Sequence, residues 1–127
     1  MNITGRKVTV AKTVSELYQF LSVFNNFQQI MPSEVSKFES DETSFVFGIK
    51  GMDVRLIKKS EVENKQIVLK AASSKLPVEL IADFEDLGES CNCQLTFNGD
   101  FNPMLKMMLT KPLTDFINNL TDNLEKL

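Results

Sequence analysis

Few side chains in this chain have the chemistry for catalysis, and their spacing argues against most of them. Histidine is absent from all 127 residues. That removes the commonest general base, the Ser-His-Asp and Cys-His nucleophile systems, and every His-containing metal site. Cys91 and Cys93 stand two apart, so on a strand they face the same way. With no histidine and no third cysteine they make a poor zinc site. A disulfide between residues i and i+2 of one strand is sterically disfavoured, which leaves two small buried thiols. Asp83, Glu85, Asp86 and Glu89 fall on the wet side of a strand or in a turn, where nothing apolar raises a carboxyl pKa. They suit a solvated edge that discourages strand-to-strand aggregation. Tyr18, the sole tyrosine, joins Lys58 and Arg6 to complete the proton-transfer inventory. No catalytic residue, metal or cofactor is assigned.

Arg6 and Lys58 are the two oddities. Arg6 is in phase with Val8 and Val10, and Lys58 with Val54 and Leu56, so strict alternation turns both inward. An inward charge is costly unless paired, and would serve as a polar anchor for a ligand's carboxylate or hydroxyl. A strand start or a bulge at these points would instead send both to solvent, and the balance falls on that side.

The elements that would position these groups follow from hydrophobic period. Ile3 to Ala11 reads as a first strand. Thr13 with Glu16 forms a capping box, and Leu17, Phe20, Leu21 and Phe24 follow at helical spacing. Phe27 to Met31 reads as a second short helix stopped by Pro32. From Ser36 the period is two: Phe45, Phe47 and Ile49; Val54 and Leu56; Ile67, Leu69 and Ala71; Val78, Leu80, Ala82 and Phe84; Cys91, Cys93, Leu95 and Phe97. Turns are expected at Gly48–Gly51, Asn64–Lys65 and Leu87–Glu89. Such spacing describes an antiparallel meander with one dry face.

Asn102 and Pro103 open a last helix as N-cap and first residue, and the pattern continues to Leu127. Leu109, Leu113, Phe116, Ile117, Leu120 and Leu124 form its apolar stripe, and Pro112 inside it predicts a kink. The helix must cover the open face of the meander. A single helix rarely fills a curved sheet, so a cavity between them is expected. Phe45, Phe47, Leu56, Leu69, Leu80, Phe84, Leu95 and Phe97 from the strands, with Met104, Met108 and Phe116 from the helix, would wall it. The aromatic residues serve equally as ordinary core. The cluster of Met104, Met107 and Met108 suits either an adaptable pocket or simple gap-filling.

Length, a 43% hydrophobic fraction and 24% charged residues fit one ordinary globular domain over residues 1–127. Net charge is −3 and no Lys/Arg cluster stands out, which disfavours nucleic acid. The same balance offers no polybasic attraction to lipid headgroups. No apolar run reaches the ~18 residues of a bilayer span, and the first residues lack a signal-peptide core. A cytoplasmic protein without stable membrane insertion is the expectation, and a homodimer stays open.

The order strand, two short helices, long meander and long C-terminal helix resembles the helix-grip fold of the START-related, birch-pollen-allergen-like superfamily. That superfamily includes bacterial polyketide cyclase/dehydrase-like proteins. The resemblance spans the whole chain, and its most specific stretch is Phe101–Leu113. It implies an α+β fold in which a curved antiparallel sheet of six or seven strands wraps around a long C-terminal helix, with two short helices after the first strand. It also implies that a lipid, sterol-like or polyketide-like molecule sits between sheet and helix. The glycine-rich loop of the plant allergens is missing, with only Gly48 and Gly51 near a comparable position. Nothing matches the active sites of the cyclases. The leading expectation is therefore a non-enzymatic carrier of a small apolar molecule. A cyclase/dehydrase-type enzyme and a protein-interaction module are the alternatives.

Overall fold

The computed structural model describes residues 1–73 and 76–127. Eight antiparallel strands form one sheet: β1 (Asn2–Thr4), β2 (Val8–Val10), β3 (Phe38–Ser40), β4 (Ser44–Ile49), β5 (Met52–Val62), β6 (Gln66–Ala71), β7 (Val78–Asp86) and β8 (Cys91–Gly99). The spatial order is β1-β8-β7-β6-β5-β4-β3, with β2 also paired to β8. Helix α1 (Val14–Ser22) and a 3-10 helix (Phe24–Gln29) follow β2, and helix α2 (Pro103–Glu125) closes the chain. This is the expected helix-grip α+β fold, with eight strands in the sheet where six or seven were expected.

The extra strand comes from the amino terminus, where one continuous strand was expected. Thr4 pairs with Thr96 and Val8 with Cys93, so three residues of the first segment oppose two of β8. One surplus residue reverses the in-out phase, as at a bulge. Ile3 and Val8 both face the core in consequence, and Arg6 is turned to solvent. Gly5 sits in this bend with its N–H on the Leu95 carbonyl at 2.9 Å. A Cβ there would stand 2.9 Å from Thr121 Oγ1 of α2, so the close approach of bend to helix requires glycine.

The turns follow local chemistry. Lys50 and Gly51, both at positive φ, join β4 to β5 in a two-residue hairpin. Gly48, expected in the turn, lies inside β4. Asn64 and Gly88 take positive φ in the next two turns as their types predict. Thr13 Oγ1 accepts from Glu16 N while Glu16 Oε1 accepts from Thr13 N, completing the capping box that starts α1. Asn102 Oδ1 accepts from Leu105 N at 2.9 Å and Pro103 takes the first helical position of α2. The helix runs unbroken through Pro112 to Glu125.

All six residues of the expected α2 stripe are buried. The helix lies closest to β8, β1 and β2, at one side of the concave face. The space left toward β4 is filled by aromatic rings. Phe116 stacks on Phe47 at 4.8 Å and 8° and meets Phe97 at 5.6 Å. Phe47 continues to Phe45, which stacks on Phe27 of the 3-10 helix at 4.6 Å.

Candidate functional site

The interior is packed rather than hollow. Where an open cavity was expected between sheet and helix, the aromatic seam takes its place, and among the described residues two small voids lie beside it. Each has a cavity volume of about 10 Å³, the threshold for one water molecule. The first lies between the sheet and the N-terminal half of α2, lined by Phe47, Ile49, Met52, Val54, Leu76, Val78, Phe97, Phe101, Leu109 and Leu113. The second lies under α1 and the 3-10 helix, lined by Leu21, Phe27, Ile30, Ile67, Leu69, Leu80, Ala82 and Leu95. Neither lining contains an ionisable side chain, so no fixed charge or buried base is available in either.

The voids differ in how they are closed. Every lining residue of the second is at most 6% exposed. The first is closed on its outer side by Met52, Leu76 and Phe101, all only half-buried. These three sit at chain corners: Met52 begins β5, Leu76 precedes β7 and Phe101 precedes α2. A thin wall of long, rotatable side chains thus separates an apolar void from solvent.

The expected wall residues are distributed unevenly. Phe47 and Phe97 line the first void, and Leu69, Leu80 and Leu95 the second. Phe45, Leu56 and Phe116 are fully buried core without a face on either. Phe84 continues the inward face of β7, but the end of the strand passes beyond α2. Its ring meets Tyr18 of α1 edge-on at 5.9 Å instead. Met104 and Met108 are misplaced by the expectation: they are 69% and 61% exposed, with Met107 at 84%. The inward stripe runs through half-buried Leu105 and buried Leu109 and Leu113; Met104 and Met108 stand one position before Leu105 and Leu109, and Met107 two before Leu109, so at about 100° per residue all three turn away from it. Ile49, Met52, Val54, Leu76, Val78, Phe101, Leu109 and Leu113 were not expected as lining. Val54 and Val78 were legible as in-phase strand positions, and Leu109 and Leu113 as stripe. Leu76 and Phe101 precede Pro77 and Asn102, outside any periodic run.

Neither polar anchor faces the interior. Arg6 forms ion pairs with Asp122 at 2.6 Å and Glu125 at 3.0 Å on the outer side of α2. These partners hold its guanidinium pKa above the ordinary value, Glu125 first, and Arg6 in turn holds the Glu125 carboxyl below its own. Lys58 lies next to a register shift in β5, after which Ser60 rather than Lys59 pairs across to β6. From Lys58 to Glu63 every residue is exposed, and Lys58 Nζ binds Glu61 at 3.0 Å. Tyr18 donates to the same carboxylate at 2.8 Å. Burial, then Glu61, pushes its pKa up to about 12. All three proton-transfer side chains therefore lie outside the voids. Asp83, Glu85, Asp86 and Glu89 are exposed. Cys91 and Cys93 are buried free thiols whose pKa values burial raises, the reverse of nucleophile activation. Among the described residues no group of three or more Cys, Asp or Glu side chains converges as a metal site.

With this geometry in hand, likeness to known proteins concerns the fold. No family model matches the chain, and no curated protein does. Solved structures do. A START superfamily protein from Mycobacterium smegmatis superposes with a TM-score of 0.68 at 18% identity, over 98% of this chain and 94% of that one. Norcoclaurine synthase from Thalictrum flavum, a point mutant solved with a transition-state analogue, gives 0.70 at 12% identity over 99% and 92%. The Aha1 dimer from Colwellia psychrerythraea gives 0.62 at 16% over 98% and 96%. The chain thus has the START-related, birch-pollen-allergen-like helix-grip fold, shared across an enzyme, a dimer and a START protein. Among the described residues no helix is long and apolar enough to cross a membrane.

Proposed function

We propose that this protein binds a small hydrophobic molecule, lipid-like or polyketide-like, between the sheet and the N-terminal half of α2. The observation that carries this reading is the first void: wholly apolar in its side chains and closed by the half-buried Met52, Leu76 and Phe101. Ligand pockets usually hold about 300–1,000 Å³, so a ligand must push this seam apart. The wall most suited to yield is α2 before Pro112, which lacks the N–H that would bind the Met108 carbonyl. Apolar contact would supply the affinity. With no charge in the lining, a ligand's polar end would point outward past Phe101.

Two measurements test the reading. Protein purified from its natural host is denatured and its organic extract analysed by mass spectrometry, with a stoichiometric apolar molecule expected. Separately, titration with the fluorescent apolar probe N-phenylnaphthylamine should saturate at one site. The double substitution V54I/V78I adds two methylenes to the void and should weaken that binding about tenfold or more without unfolding the protein. An empty extract together with unsaturable or unaltered probe binding sinks the proposal.

A further inference from the structure

The two voids are successive places on one inward surface. On β7 the first is lined by Val78 and the second by Leu80 and Ala82, the next two inward positions. On β8 Phe97 lines the first and Leu95 the second, and these pair across the sheet with Leu80 and Ala82. From Val78 to Ala82 is about 13 Å of strand, so the voids lie end to end along β7 and β8. Neither lining contains a polar side chain.

What divides them is a row of rings reaching from α2 to both sides of the sheet. Phe116 has no face on either void. It stacks on Phe47 at 4.8 Å and 8° and meets Phe97 at 5.6 Å, and both of those rings line the first void. Phe116 is fully buried and stands one turn after Leu113, the last α2 residue to line that void. Its half of α2 is anchored by Asn119 on Glu34 and by Asn123 on the Ile30 carbonyl, whereas the void's outer wall is only half-buried. The outer end of the first void therefore yields and the inner end is fixed. No half-buried side chain closes the second void, so the way into it runs past Phe116.

We infer that Phe116 is the stop that limits how deep the apolar part of a ligand reaches, and so sets the length of ligand this protein accepts. The inference rests on the proposed ligand-binding reading. From Leu109 to Phe116 the helix rises about 10 Å, which is the depth available before the ring. The class that fits is a small amphipathic molecule, a short alkyl chain or a single ring system, with its polar end outward. A long acyl chain or a sterol needs the second void as well, and the Phe116 ring stands in its way.

The experiment is displacement of N-phenylnaphthylamine by straight-chain alcohols from hexanol to tetradecanol, which are uncharged like the linings. In the wild type, affinity should rise about fourfold per added methylene and level off before dodecanol. In F116L the rise should continue for several further methylenes, because the shorter side chain opens the way to the second void. F116L/A82I fills that void from β7 and should return the plateau to the wild-type length. F116M keeps most of the volume on an unbranched, flexible chain, so it should lengthen the plateau even if F116L folds poorly. A rise that runs unbroken to tetradecanol in the wild type overturns the inference. So does a plateau at the wild-type length in F116L and F116M, or a longer plateau that survives in F116L/A82I. The probe itself separates the two claims. Saturable one-site probe binding with an unmoved plateau refutes the stop alone, whereas absence of saturable binding refutes the ligand-binding reading and the stop with it.

Discussion

The two halves of α2, divided at Pro112, are held in different ways. From Leu113 onward the helix buries Leu113, Phe116, Ile117, Leu120, Thr121 and Leu124. It is tied down by Asn123 Nδ2 on the Ile30 carbonyl at 2.9 Å, Asn119 on Glu34 at 2.6 Å, and the Arg6 pairs. Before Pro112 only Leu109 is buried. Among the described residues its side-chain hydrogen bond to a distant residue is Thr110 Oγ1 donating to the Met1 sulfur at 3.3 Å. One continuous helix thus combines a fixed clamp with a lightly held flap over the apolar seam. Side-chain identity on the outer face follows the same division. Asp115, Asn118, Asp122 and Glu125 are exposed on the clamp, and methionines are exposed on the flap. Segments with few buried contacts open at low free-energy cost, which is the property a ligand-admitting wall needs.

Substitutions can break or sharpen this contrast. Phe116→Ala removes the ring that stacks on Phe47 and Phe97, and should destabilise by about 3–5 kcal/mol in chemical denaturation. A loss under 1 kcal/mol would mean the clamp is not where the fold's stability lies. Pro112→Ala restores a backbone hydrogen bond at the boundary and should stabilise by up to ~3 kcal/mol. Amide exchange at residues 108–111 should slow, and so should uptake of the apolar probe. Unchanged exchange would separate the flap's looseness from the proline.

Thr121 lies inside the clamp with its hydroxyl buried and without a hydrogen-bond partner among the described residues. Thr121→Val keeps the shape, removes an unsatisfied group, and should raise stability by about 1 kcal/mol. A lower Tm would reveal a hydrogen bond to solvent or to the Gly5 bend.

Arg6→Ala should act through pH. Arg6 holds the folded Glu125 pKa below its ordinary value of 4.5. The pairing therefore adds stability above that value, and this increment is lost as pH falls through the depressed folded pKa. Wild type should lose slightly more stability than R6A between neutral and strongly acid pH, a small effect because both groups are half exposed. Identical acid profiles would remove the pairing from the clamp. Met107→Ala, on the flap, should shift stability by no more than ~0.5 kcal/mol. A larger loss would show the outer methionines to be structural.

Much of this contrast could be read from residues alone. The capping box at Thr13, the N-cap at Asn102, the turn residues Asn64 and Gly88, and the α2 stripe follow from local propensity and period. The helix-grip order of elements follows from their sequence. Those signals are short-range, acting within one turn of helix or between alternate strand positions. Strict alternation left Arg6 open as an inward anchor with the balance toward solvent, and only the surplus residue opposite β8 decides for solvent. The same balance held for Lys58, whose exposure is decided by its register with β6. Met104 and Met108 were assigned to the wall because composition does not say which face of a helix the sheet takes. The cavity itself was expected from curvature, yet Phe116 happens to meet Phe47 and Phe97 across the gap and fills it. Period and capping set which residues form each element and which of them seek burial. Register, the angle at which α2 crosses the sheet, and the meeting of rings from distant strands decided what is enclosed and what is left exposed. These depend on packing between residues outside one another's local pattern, Phe47 and Phe116 standing 69 positions apart.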